Sequence, residues 1–130
     1  MVKFAPFRVS WEDILASGKF EIYSVRNLQS RNNLEQMKLG DLAFYYHSQT
    51  DKLVMGIMEV IKEAHQDFTT TDPRWKSVTF EPSETLKHPI PLQSIREEER
   101  LKHIALIHQP RLAVSELTKE EYETLKQLSI

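Results

Sequence analysis

Leu42-Ala43-Phe44-Tyr45-Tyr46-His47-Ser48 is the stretch on which the reading of the chain turns. Strand geometry sends successive side chains to opposite faces, so Leu42, Phe44 and Tyr46 share one face while Ala43, Tyr45 and His47 share the other. Of the adjacent tyrosines, one then packs and the other is available to a pocket. Upstream stands Arg26-Asn27-Leu28-Gln29-Ser30-Arg31-Asn32-Asn33, with two guanidiniums and four carboxamides in eight residues. Such a segment is excluded from the core, because every amide in it would need a buried partner. One reading is an asparagine-rich turn that caps its own backbone. The other is a set of donors able to fork onto a phosphate or a base edge beside flat rings.

Working outward, Ser10-Trp11-Glu12-Asp13-Ile14-Leu15 predicts a helix. Ser10 caps it, acids stand in its first turn, and Gly18 ends it. Residues 19–33 lack a sustained period and read as ordered loop. A short helix starts at Asn32 or Asn33 and runs to Lys38, and Gly40-Asp41 turns the chain into the strand. Residues 53–64 read as a second strand, 66–73 as a loop, and 75–81 as a third strand by alternation. Pro82, Pro89 and Pro91 forbid a long helix in the next section. A short helix follows from Leu92 or Gln93 to Leu101, and 103–107 and 111–114 are short strand candidates. Thr118 and Glu121 form a capping box for a last helix with the stripe Tyr122, Leu125, Leu128. The order is α+β: a small sheet or open barrel with peripheral short helices, expected as one domain over 1–130.

Composition narrows the function. The 130 residues contain no cysteine, which excludes thiolate zinc sites, redox motifs and thiol nucleophiles. No apolar run reaches the length of a membrane span and no signal pattern opens the chain, so a cytoplasmic protein without membrane contact is expected. The net charge of −2 argues against broad binding to long duplex nucleic acid. Residues 3–38, however, hold six Lys/Arg against four acids, so an anion-binding face should draw on this N-terminal third.

Enzyme chemistry finds little footing. Three glycines, at 18, 40 and 56, make neither a phosphate loop nor a dinucleotide fingerprint. His47, His65, His88, His103 and His108 show no metal spacing, and Glu97-Glu98-Glu99 is a solvated helix face. His47 and Ser48, adjacent on a strand, point to opposite sides. No catalytic residue, metal or cofactor is therefore expected. Among the aromatics, Trp11 reads as helix-packing core, while Trp75, at a strand entrance after Pro73-Arg74, can be half exposed. A base stacked on such a ring is worth about 1–3 kcal/mol.

In this order the motifs resemble those of the EVE domain family of the PUA-like superfamily. Val25-Arg26-Asn27-Leu28-Gln29-Ser30-Arg31-Asn32-Asn33 is similar to V-R-N-x-Q-A-R-N-N. Met37-Lys38-Leu39-Gly40-Asp41 with Phe44-Tyr45-Tyr46-His47-Ser48 resembles M-K-x-G-D and F-Y-H-S. Gly56-Ile57-Met58-Glu59-Val60, Pro73-Arg74-Trp75 and Arg111-Leu112-Ala113-Val114 resemble G-I-x-E-V, P-R-W and R-L-S-V. The resemblance implies a mixed β pseudobarrel and a pocket for a modified nucleobase, such as a modified cytosine, in DNA or RNA. It places Arg26, Asn27, Gln29, Arg31, Asn32, Tyr46, His47, Ser48, Trp75 and Arg111 in the pocket and its rim. Departures stand at Lys3-Phe4-Ala5-Pro6, where the family has K-S-E-P, and at Ile22-Tyr23-Ser24, where it has tryptophan-aspartate-glycine. Two more are Ala113 for serine and Gln109-Pro110 for Q-G. The expected function is a non-catalytic reader of a modified base. The alternatives are a protein-interaction or degenerate scaffold domain with an altered pocket, and a nucleotide-processing enzyme using His47 with Ser48.

Overall fold

Phe4, on strand β1 (Val2–Phe4), and Phe20, on strand β2 (Phe20–Glu21), stand ring to ring at 5.3 Å. They nevertheless belong to opposite edges of one sheet, whose order is β1-β3-β4-β5-β2 with β3 Leu42–His47, β4 Leu53–Gln66 and β5 Lys76–Pro91. Four steps across a flat sheet would separate the edges by about 19 Å. The sheet therefore curls until its edges meet, as the expected pseudobarrel does. The computed structural model describes residues 1–130. β1 runs parallel to β3, and the other pairings are antiparallel.

The curl divides the core in two. On the inner face Ala43, Tyr45, Met58, Val60, Val78 and Phe80 pack with Phe4 and Phe20, with Trp11 and Ile14 of helix α1 (Trp11–Ser17), and with Leu34 of helix α2 (Leu28–Gln36). On the outer face Phe44, Tyr46, Val54, Ile57, Leu86 and Ile90 are covered by the C-terminal third. That third holds α3 (Leu92–Glu97), a 3-10 turn (Glu99–Leu101), α4 (Ala105–His108) and α5 (Lys119–Leu128). Trp11 lies flat on Gly56 so closely that a Cβ there would stand 2.2 Å from its ring.

Several boundaries differ from the sequence reading. α2 starts at Leu28, because the Asn27 side chain accepts from the Ser30 N–H at 2.9 Å and caps it ahead of Asn32 and Asn33. The expected loop 19–33 also contains β2. Of the strand expected at 103–107, residues 105–107 lie in helix α4 instead and 103–104 lead into it, and 111–114 contributes only a bridge from Val114 to Val2. The third strand runs on to Pro91. β2 covers β5 only at Thr79 and Phe80, so beyond them β5 is an edge that tolerates Pro82 and Pro89.

Candidate nucleic-acid interface

Where β1 leaves the seam, loops from both edges surround a cleft of about 350 Å³. One wall is the turn after β1. The Arg8 N–H donates to the Ala5 carbonyl at 3.0 Å, which puts Pro6 and Phe7 at the two central turn positions. The facing wall is Tyr23 to Asn27, and the floor is Phe4 with Ser48, whose N–H donates to the Phe4 carbonyl at 2.9 Å. Four cations line the cleft (Lys3, Arg8, Arg26 and Arg111) and no carboxylate does.

Each cation is held differently. The Arg8 guanidinium lies over the rings of Phe4, at 4.3 Å, and Tyr23, at 4.8 Å. Lys3 donates to the Pro110 carbonyl, and its partial burial lowers its pKa. Arg26 donates to the Asp67 carboxylate at 3.0 Å and to the Thr69 hydroxyl at 3.2 Å. Arg111 is exposed and makes no hydrogen bond or ion pair with its side chain, so its guanidinium is free for a ligand.

Asp67, fully buried, builds the Tyr23–Asn27 wall. Its carboxylate accepts the Ser24 N–H at 2.8 Å as well as Arg26, the Thr69 N–H and the Thr69 hydroxyl. Burial alone would raise its pKa, but the Thr69, Arg26 and Ser24 hydrogen bonds outweigh that and lower it. The Ser24 bond also secures a left-handed backbone, φ 59°. Gln49, on the opposite side of the cleft, has φ 69°. Non-glycine residues seldom adopt this conformation, and such strain gathers at ligand sites.

The cleft gathers four of the sequence-nominated residues: Arg26, Asn27, Ser48 and Arg111. Asn27 fulfils both readings of its segment, capping α2 with its oxygen while lining the cleft. Trp75 stands just outside, half-buried, with the guanidiniums of Arg26 and Arg74 each 5.4 Å from its ring. Gln29, Arg31 and Asn32 lie on α2 beyond the cleft. Arg31 donates to Asn32 and to the Arg74 carbonyl, and Gln29 is exposed. Tyr46 packs in the outer core, away from the cleft.

His47 is buried and structural. Its Nε2 accepts the Trp11 N–H at 2.8 Å, an otherwise unsatisfied donor of the first turn of α1. Nδ1 therefore carries the proton, which it donates to Asp51 at 2.9 Å. Sequence reasoning missed Lys3, Phe7, Arg8, Tyr23 and Asp67. The only signal for the basic ones was the excess of cations in the N-terminal third.

A second cavity, about 580 Å³, opens between α2, the start of β3 and α5. Asp41, Glu116 and Lys119 are its charged lining residues. Nowhere do three His, Asp or Glu side chains gather with the spacing of metal ligands.

Curled mixed sheet, peripheral helices and a loop-walled cleft at the seam define an α+β domain of PUA-like fold. The sequence profile of the EVE domain matches residues 1–128, and the chain belongs to that family. Mouse thymocyte nuclear protein 1 is 33% identical over 127 residues, covering 80% of this chain and 56% of the mouse protein. The chain thus spans about half the length of the curated relatives it matches. A crystal structure of an Agrobacterium tumefaciens protein superposes with a TM-score of 0.96 at 35% identity, covering 98% of this chain and 90% of that one. The human THYN1 protein, solved in complex with DNA containing 5-methylcytosine, gives a TM-score of 0.86 at 31% identity, with coverage of 91% and 84%.

Proposed function

We propose that the seam cleft binds a modified base in nucleic acid, with 5-methylcytosine in DNA as its first candidate, and that it does so without chemistry. The observation that carries this reading is the lining: four cations, no carboxylate, and the rings of Phe4 and Tyr23 beside a space of about 350 Å³. Cations hold the phosphates on either side of a base, and flat apolar walls accept its faces. The human THYN1 protein with its 5-methylcytosine DNA supports the choice of ligand. A binding role is supported by His47, whose two ring nitrogens are both engaged, leaving Ser48 without a base to activate it.

Fluorescence anisotropy with short oligonucleotides tests the proposal. Burying one methyl group is worth about 0.8 kcal/mol, so 5-methylcytosine should bind about fourfold more tightly than cytosine. Arg111→Ala should weaken both by about tenfold while leaving the methyl preference in place. Equal affinity for methylated and unmethylated DNA contradicts the choice of ligand. A preference found only in RNA moves the proposal to that polymer.

A further inference from the structure

Six phenylalanines occur in the chain, and four of them (Phe4, Phe20, Phe44 and Phe80) are no more than 5% exposed. The other two, Phe7 at 74% and Phe68 at 61%, both belong to the surroundings of the cleft. Phe68 has a packing partner, with its ring centroid 5.6 Å from that of Tyr23. Phe7 forms no ring pair and remains the most exposed aromatic side chain of the molecule although it lines the cleft. Leaving so large an apolar ring in water forgoes its contribution to folding, and a lone exposed phenylalanine elsewhere on the surface would call for no explanation.

The turn that carries Phe7 is built to be stiff. Pro6 fixes the backbone at the first central position, and the Ala5 carbonyl accepts from both Arg8, at 3.0 Å, and Val9, at 3.2 Å. The Val9 carbonyl in turn accepts the Tyr45 hydroxyl at 2.6 Å, which ties the turn to the inner core. Beside the ring, Arg8 is folded onto Phe4 and Tyr23. A rigid apolar ring at the tip of a turn, with a cation next to it at the mouth of a base-sized cleft, has the make-up of a wedge that enters a base stack.

We infer that Phe7 fills the space a base leaves when it moves from a duplex into the cleft, so that the domain takes its target from double-stranded nucleic acid. The inference rests on the cleft binding a base. Extruding a base loses its stacking and pairing, and a ring inserted in its place restores part of the stacking. A single strand has no such gap to fill, so there Phe7 contributes little.

The test compares wild type, Phe7→Ala and Phe7→Trp on a duplex and on a single strand, each carrying one 5-methylcytosine, alongside unmethylated controls. Phe7→Ala should weaken duplex binding about fivefold or more, the lower end of a ring–base stack, and change single-strand binding less than twofold. Phe7→Trp, which keeps a flat ring on the same turn, should bind the duplex like wild type. Equal weakening on both substrates, no weakening on either, or a wild type that binds only the single strand overturns the wedge; if methylated DNA is still preferred, the cleft reading stands. A wild type indifferent to methylation on both substrates overturns the cleft reading and the wedge together.

Discussion

The cavity between α2, β3 and α5 is larger than the cleft at the seam, about 580 against 350 Å³, yet the two differ more in chemistry than in size. The larger one sets two carboxylates, Asp41 and Glu116, against a single lysine. Its polar groups also serve the fold: Asp41 accepts the Lys38 N–H at 2.9 Å, and Asn33 donates to the Val114 carbonyl at 2.7 Å. The smaller cleft concentrates four cations, two strained backbone positions and the exposed Phe7 in one place. Charge and strain, rather than volume, set the cleft proposed for an anionic, flat guest apart from the larger cavity.

The sharpest way to break this contrast is to remove the buried acid behind the wall of the one and an acid lining the other. Asp67→Ala takes away the shared acceptor of Ser24, Arg26 and Thr69, four part-buried hydrogen bonds to one carboxylate, and should cost about 2–3 kcal/mol in denaturant unfolding. Asp41→Ala removes one exposed hydrogen bond and should cost about 1 kcal/mol or less. The same Asp67 carboxylate sets a pH dependence. Its pKa in the folded protein lies below its ordinary 3.8. Its contribution is therefore complete above pH 3.8 and is lost as pH falls through the lower folded value. Asp67→Asn should flatten that acid limb in thermal melts taken from neutral pH downward.

Next in size is Arg111→Ala, whose roughly tenfold effect on binding should come with a stability change within about 0.5 kcal/mol. The slope of log affinity against log salt should fall by about one. Lys119→Ala, beside the larger cavity, should leave affinity and salt slope unchanged. The two together show by filter binding over a salt series whether the cations of the cleft differ from an ordinary surface lysine.

The α+β class was legible because alternation in β3, the cap at Ser10 and the capping box at Thr118 are local signals, and both caps form as read, Ser10 adding a capping box with Asp13. The start of α2 was not, because Asn27, Asn32 and Asn33 are equally good caps in isolation and only the Ser30 N–H chooses among them. Alternation correctly set Tyr45 and Tyr46 on opposite faces. It could not show that both faces are covered, so that neither ring is left for a pocket. Asp67 was illegible, since its partners Ser24 and Arg26 are more than 40 residues away. The charge count was the better guide: Lys3, Arg8 and Arg26 all come from the N-terminal third. The segments that depart from the family pattern, Lys3 to Pro6 and Ile22 to Ser24, contribute walls of the cleft, so ligand preference is where this chain has room to differ from its relatives.

Amide chemical-shift mapping with a duplex carrying one 5-methylcytosine tests the central claim most directly. On titration the amides of Phe7, Ser24, Arg26, Asn27, Ser48 and Arg111 should shift, while those of Gln36, Gly40, Leu117 and Lys119 around the larger cavity stay in place. Shifts confined to the second group, with the first unmoved at saturating DNA, would contradict it.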